Sequence, residues 1–306
     1  MKRILRFLAL ILPLTLVFHT AKAWWDVGHM AVAQIAYDEL KPGAKKWADG
    51  LIATLTVNYP QTHNFVEAAT WPDDLKGHGI TAYSNWHYTN IPLNDNGVAI
   101  ACNATPEIDV VWAIGQARSI LGNPKSTDAE KGQFLAFLIH FVGDLHQPLH
   151  STSMYTNALP GGDMGGNLFP LKDSIHTNLH KLWDDGCGYF DRFGKVDRAA
   201  GPEVWKDTIQ AIAKAVTQAY PAKSIMGLDQ LDPEFWALES HNDAVNFGYK
   251  GVQSVDGSRK IYLKPNDTPS ALYLEVARKI VERQIASGGY RLAMILNALF
   301  DAKAGK

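Results

Sequence analysis

The chain is poor in cysteine: 306 residues contain only Cys102 and Cys187. That excludes a disulfide scaffold and a four-cysteine zinc module. Net charge is also low, −2 from 29 basic and 31 acidic residues. A chain so near neutral does not attract polyanions by bulk charge. There are no internal repeats, no low-complexity linker and no shift in composition along the chain. With 46% hydrophobic and 20% charged residues, a largely disordered or fibrous polypeptide is ruled out. Long apolar runs are missing as well, save one from Phe7 to Phe18, which is short for a bilayer span.

That run has the grammar of an export signal. Lys2, Arg3 and Arg6 precede it, and Ala21-Lys22-Ala23 follows with small residues where a signal peptidase inspects the chain. Residues 1–23 are therefore expected to be a signal peptide cleaved after Ala23, and the protein to be secreted or periplasmic. Cleavage removes four basic residues and no acid, leaving 25 basic against 31 acidic residues, a net −6. It also exposes the α-amino group of Trp24. With a pKa near ~8, that amine deprotonates readily and can ligate a metal. Both cysteines would lie in an oxidising compartment, and whether they pair is a matter of geometry that spacing does not decide.

The remainder reads as one mostly α-helical domain. Helices are expected at about 27–40, 44–54, 62–70, 107–121, 174–186, 203–219 and 233–247. Another follows Thr127, whose hydroxyl and Glu130 form a capping-box pattern. Its apolar stretch Phe134–Val142 marks it as buried, and Pro148 ends or kinks it. Residues 76–105 and the Gly-rich 153–170 read as loops. Asp256-Gly257 between β-prone residues predicts a small β-hairpin over Val252–Leu263. A helical region from Pro269 to Phe300 closes the chain, with a break expected at Gly288-Gly289.

Against these absences stand 11 histidines and 9 tryptophans. His140 and Asp144 are four apart on the buried helix, so both project from one face. His180 and Asp184 repeat the spacing, and His150 follows Pro148. Asp73 lies in Trp-Pro-Asp, His87 in Trp-His-Tyr, and His29 five residues after the new N-terminus. A single His-x-x-x-Asp pair is more often a salt-bridged couple than a ligand pair. Several together, one inside an apolar helix, point to a metal: a buried carboxylate is costly unless compensated. Imidazole and carboxylate suit zinc. His146 fits either a ligand or a supporting role, while His63, His78, His176 and His241 lack such context.

Trp24-x-x-x-Gly28-His29, Trp71-Pro72-Asp73-x-x-Lys76, Trp86-His87-Tyr88 and His140-Phe-Val-Gly-Asp144-Leu-His146-Gln-Pro-Leu-His150 resemble the S1/P1 nuclease family. So do Gly161-Gly-Asp-Met-Gly-Gly-Asn167, Asn178-Leu-His180-Lys-Leu-Trp-Asp184, Trp236-Ala-Leu-Glu-Ser240 and Gly289-Tyr-Arg-Leu-Ala293, in the same order. The resemblance implies that residues 24–306 are a mostly α catalytic domain holding three Zn²⁺. One zinc would take Asp73, His87, His140 and Asp144. A second would take His150, His180 and Asp184, and the third the amine and carbonyl of Trp24, His29 and a shared Asp144. The implied activity is hydrolysis of single-stranded DNA and RNA to 5′-phosphorylated products, together with 3′-nucleotidase activity. In such a site Asp73 orients or deprotonates water, Lys76 faces the charge developing on phosphorus, and Asn167 donates hydrogen bonds to substrate. Tyr88 stacks a base. Asn90 stands where an aspartate is common, which leaves base preference open. Two other readings share the ligand set: a zinc-dependent phospholipase C and a non-catalytic exported zinc-binding protein. The first fits less well, because the later pair ends in Asp184 where that enzyme has Glu.

Overall fold

The computed structural model describes residues 24–94, 97–100, 105–249 and 263–305. It is a mostly α-helical assembly of α1 (Asp26–Glu39), α2 (Pro42–Thr56), α3 (Phe65–Ala68), α4 (Trp71–Gly77), α5 (Val110–Gly122), α6 (Asp128–Leu145), α7 (Leu179–Asp184), α8 (Pro202–Ala219), α9 (Pro233–Asp243) and α10 (Ala271–Ala304), with short 3₁₀ turns between them. No helix among the described residues is long and apolar enough to cross a membrane.

Helix α6 is the axis of the molecule. Thr127 accepts from the Glu130 amide while the Glu130 carboxylate accepts from the Thr127 amide, so the expected capping box starts it. From Leu135 to Leu145 every residue is buried. A helix apolar all round must be enclosed by others, and α1, α2, α5 and α10 pack about it. The chain then leaves through Gln147-Pro148 into a 3₁₀ turn, Pro148–Ser151. From there it enters β2 (Thr152–Met154), which pairs in parallel with β1 (Ile91–Leu93). The Thr89 amide donates to the His150 carbonyl at 2.8 Å, holding the segment before β1 against the turn that carries His150.

Three local expectations need correction. Residues 76–105 are not uniformly loop: α4 reaches Gly77, a 3₁₀ turn spans Ser84–His87, and β1 follows. Helix α7 begins only at Leu179, because Asn178 is extended and its side chain caps the Lys181 amide at 2.9 Å. Helix α10 runs unbroken through Gly288-Gly289. A Cβ at Gly289 would lie 2.5 Å from Ile35 Cγ2 of α1, and one at Gly288 3.2 Å from the His146 ring. These glycines permit close helix packing rather than a break. The strand pair observed is β1–β2; the hairpin expected over Val252–Leu263 falls almost wholly outside the described residues.

Candidate metal centre

Helix α6 presents His140 and Asp144 one turn apart, with His140 Nε2 3.2 Å from Asp144 Oδ2. His87, ending its 3₁₀ turn, brings Nδ1 to 3.0 Å from the same oxygen and 3.0 Å from His140 Nε2. Asp73, in the first turn of α4, places Oδ1 3.7 Å from His87 Nδ1 and 3.9 Å from His140 Nε2. The other carboxylate oxygen of Asp144 faces elsewhere: Oδ1 is 3.4 Å from His29 Nε2 and 3.6 Å from His150 Nδ1. The His29 ring stacks on His140 with centroids 3.9 Å apart. On α7, His180 Nε2 lies 3.4 Å from Asp184 Oδ2, and His150 Nε2 is 3.9 Å from Asp184 Oδ1. Ligand-type atoms thus gather in three buried groups: His29-Asp73-His140, His87-His140-Asp144 and His150-His180-Asp184. Asp144 stands at their centre.

The donor set fits metal. His140, His150 and His180 donate Nδ1–H to the carbonyls of Ala69, His87 and Gly165 at 2.6, 2.6 and 2.7 Å. A carbonyl only accepts, so each ring carries its lone pair on Nε2, facing inward. Both His29 nitrogens, Asp73 Oδ1, Asp144 Oδ1, His150 Nε2 and Asp184 Oδ2 are buried without a hydrogen-bond partner in the structure. Each such atom ordinarily costs about 1–3 kcal/mol. Their convergence at one place makes sense if they are ligands, and a set of only nitrogen and carboxylate oxygen atoms matches zinc.

Electrostatics agree. Burial lowers His150 to about 3 and His180 to about 4, and also lowers His29 and His87. These imidazoles are neutral at physiological pH, the form that ligates. His140 differs: burial lowers it, but Asp144 outweighs that and raises it, and in turn, against the upward push of burial, His140 holds the Asp144 carboxyl well below its usual range. Asp184 goes the other way. Burial lifts it well above, with Asp73 and Asp144 adding to the effect against a hydrogen bond from Gln147.

Trp24 is fully buried, its indole donating to the Gly143 carbonyl at 2.8 Å. The next amide, of Trp25, donates to the Asp184 carbonyl at 3.0 Å. The residue at the expected cleavage site is therefore wedged between the two helices that carry Asp144 and Asp184. Gly28 makes room for it, since a Cβ there would lie 2.9 Å from Trp24 Cβ, and Gly143 makes room for His29, where a Cβ would lie 2.6 Å from Nδ1.

On the solvent side, Lys76 Nζ sits 3.8 Å from Asp73 Oδ1. Tyr88, Asn90, His150, Met164, Asn167 and His180 line a cleft of about 120 Å³. Tyr88 and Asn90 reach it together because alternate residues of an extended segment share a face. The expected His and Asp residues thus lie together, with Lys76 beside Asp73, and with Tyr88, Asn90 and Asn167 on the cleft that His150 and His180 also line. His146 does not join the ligand groups. Its Nδ1 donates to the Val142 carbonyl, and its Nε2 accepts from fully buried Arg291, which also pairs with Glu239. This explains why the Trp236–Ser240 and Gly289–Ala293 segments belong with the motif blocks. His63, His78, His176 and His241 are engaged by Glu67, the Asp74 carbonyl, Asp173 with Asp185, and Thr152. Sequence reasoning missed Gln147, Asp163 and Met164 as parts of the site. Asp163 holds the Gly-rich loop through the Met154 amide and the Tyr249 hydroxyl. All three lie inside the motif blocks, but nothing in their spacing marks them.

The chain is 28% identical to nuclease P1 of Penicillium citrinum, over 92% of its length and all of that protein. It is 27% identical to endonuclease 3 of Arabidopsis thaliana, covering 96% of this chain and 94% of the relative. With nuclease S1 of Aspergillus oryzae the identity is 26%, over 90% and 91%. The family described as S1/P1 Nuclease matches residues 24–301. These likenesses run the length of the domain and include every segment that supplies the buried His and Asp groups, so the chain belongs to the S1/P1 nuclease family.

Proposed function

We propose that the protein is an exported trinuclear-zinc phosphodiesterase. Its substrates are single-stranded DNA and RNA, its products carry 5′-phosphates, and it removes phosphate from 3′-nucleotides. The observation that carries this reading is the position of the substrate-side residues. Tyr88, Asn90 and Asn167 line the same cleft as His150 and His180, beside the groups centred on Asp144. A zinc-storage protein has no use for that cleft, and the relatives' names speak for nucleic acid over phospholipid.

In this reading one zinc is held by Asp73, His87, His140 and Asp144, and a second by His150, His180 and Asp184. The third is held by the freed amine and carbonyl of Trp24, by His29 and by Asp144. Bound zinc supplies acidification of water and stabilisation of charge on the phosphate and leaving oxygen. The chain's own groups do the rest. Asp73 orients the attacking water and accepts its proton. Lys76 extends its ammonium beside Asp73, toward the negative charge developing on the phosphoryl oxygens. The Asn167 amide donates to the substrate. The Tyr88 ring stacks a base, which only an unpaired strand offers freely. Asn90 presents both a donor and an acceptor to the base edge.

The test uses zinc-loaded protein beginning at Trp24, assayed on single-stranded DNA, RNA, duplex DNA, 3′-nucleotides and phosphatidylcholine. The expected result is degradation of both single strands, release of phosphate from 3′-nucleotides and no phospholipid turnover. Asp144→Asn should lose both metal and activity. Failure to cleave single strands, or normal turnover by the variant, would contradict the proposal.

A further inference from the structure

The side chain of Gln147 is fully buried, two residues past the end of α6, and both of its polar atoms are used. Its Nε2 donates to Asp184 Oδ1 at 2.7 Å, and its Oε1 accepts from the Leu149 amide at 2.6 Å. Its backbone is equally engaged: the Gln147 amide donates to the Asp144 carbonyl at 2.9 Å, and its carbonyl accepts from the His150 amide at 2.9 Å. One residue therefore touches segments carrying Asp144, His150 and Asp184. Asp184 Oδ2, by contrast, is buried with no hydrogen-bond partner and lies 3.4 Å from His180 Nε2.

We infer that Gln147 is a positioning residue for the metal centre: its amide occupies Asp184 Oδ1, the oxygen on the His150 side, and leaves Oδ2, the oxygen beside His180, free of any hydrogen bond. The inference rests on the proposed zinc centre and adds to it the reason for an amide at this position. A carboxylate with two free oxygens can bind a cation through one or both. A fixed donor on one oxygen decides between these modes and fixes the plane of the group. Only an uncharged side chain with a donor and an acceptor meets both demands, since Oε1 must accept from Leu149 while Nε2 donates to Asp184. A glutamate of the same length keeps the acceptor, and hence the turn, but sets an acceptor against Asp184.

The variants Gln147→Glu and Gln147→Asn separate this role from a structural one. In Gln147→Asn the amide is retained but one methylene too short. Each is compared with the unmodified protein at about pH 7 and about pH 9.5, because burial beside Asp184 raises an introduced carboxyl above its usual range and only its ionised form sets two acceptors together. Folding is followed by circular dichroism and zinc binding by competition with a chelator. The visible spectrum of the cobalt(II)-substituted protein, whose band intensity follows coordination number, is recorded for each. The expected result is a folded Gln147→Glu protein in which one class of zinc site is weakened by about 10–100-fold while the others are unchanged. Its cobalt spectrum should be altered, and Gln147→Asn should fall between it and the parent. Unchanged zinc affinity and an unchanged cobalt spectrum in folded Gln147→Glu, or equal weakening of every site, would overturn the role of Gln147. If Gln147→Glu does not fold, Gln147→Asn with parental affinity and spectrum overturns it alone. A parent protein that binds no zinc would instead overturn the metal centre itself.

Discussion

At the scale of single residues, two kinds of histidine divide the molecule. His140, His150 and His180, buried with a backbone carbonyl on Nδ1, point Nε2 into the candidate metal groups, whereas His146, bonded in the same way, turns Nε2 to Arg291. His176 is the opposite case: Nδ1 and Nε2 lie 2.9 and 2.8 Å from Asp173 and Asp185. Burial lowers its pKa, but hydrogen bonds to Asp185 and Asp173 outweigh that and raise it above 6.5. A raised folded value means that the protonated ring is favoured by folding. Its stabilisation is complete below the unfolded value of 6.5 and fades as pH rises through the folded one. His176→Gln is therefore expected to cost about 1 kcal/mol near pH ~5.5, and progressively less in alkaline solution, in urea unfolding at a series of pH values. A cost independent of pH would contradict a charged His176. Nothing in the sequence announced this bridge, because Asp173, His176 and Asp185 have no ligand spacing and meet only when α7 begins late, at Leu179.

At the scale of elements, the legible features were those fixed by local rules. The capping box of α6, its apolar length and the four-residue pairs His140-Asp144 and His180-Asp184 could be read directly, since helical geometry determines them. What was misread depends on neighbours. Gly288-Gly289 has the look of a breaker, yet it is where α10 meets α1 and the end of α6. Gly289→Ala should therefore destabilise by up to about 2 kcal/mol: crowding of about 1–3 kcal/mol against Ile35 outweighs the helix-propensity gain of about 1 kcal/mol. Gly50 in α2 is the control, being exposed with no other atom within 4 Å of the place a Cβ would take. There alanine should stabilise by up to about 1 kcal/mol. Denaturant midpoints of the two variants check both signs, and a stabilised Gly289→Ala would contradict the packing account.

At the scale of the whole molecule, a chain whose net charge would be −6 without residues 1–23 gathers buried imidazole and carboxylate groups in one place among the described residues. The buried His and Asp groups come from positions between His29 and Asp184, on α1, α4, α6, α7 and the turns around them, and only the fold brings them together. The residue types and their order along the chain were legible through resemblance. Hidden were the supports that aim them, Gln147 on Asp184 and the Gly165 carbonyl on His180, because a hydrogen bond across 37 or 15 residues leaves no local signature. The sequence also points to a ligand that exists only after processing, the amine of Trp24, whose side chain is already locked against Gly143. That dependence is the central claim, and zinc content tests it most directly. Elemental analysis of protein beginning at Trp24 should give about three zinc ions per chain, and about two when one extra residue precedes Trp24. Equal zinc content in the two forms would contradict it.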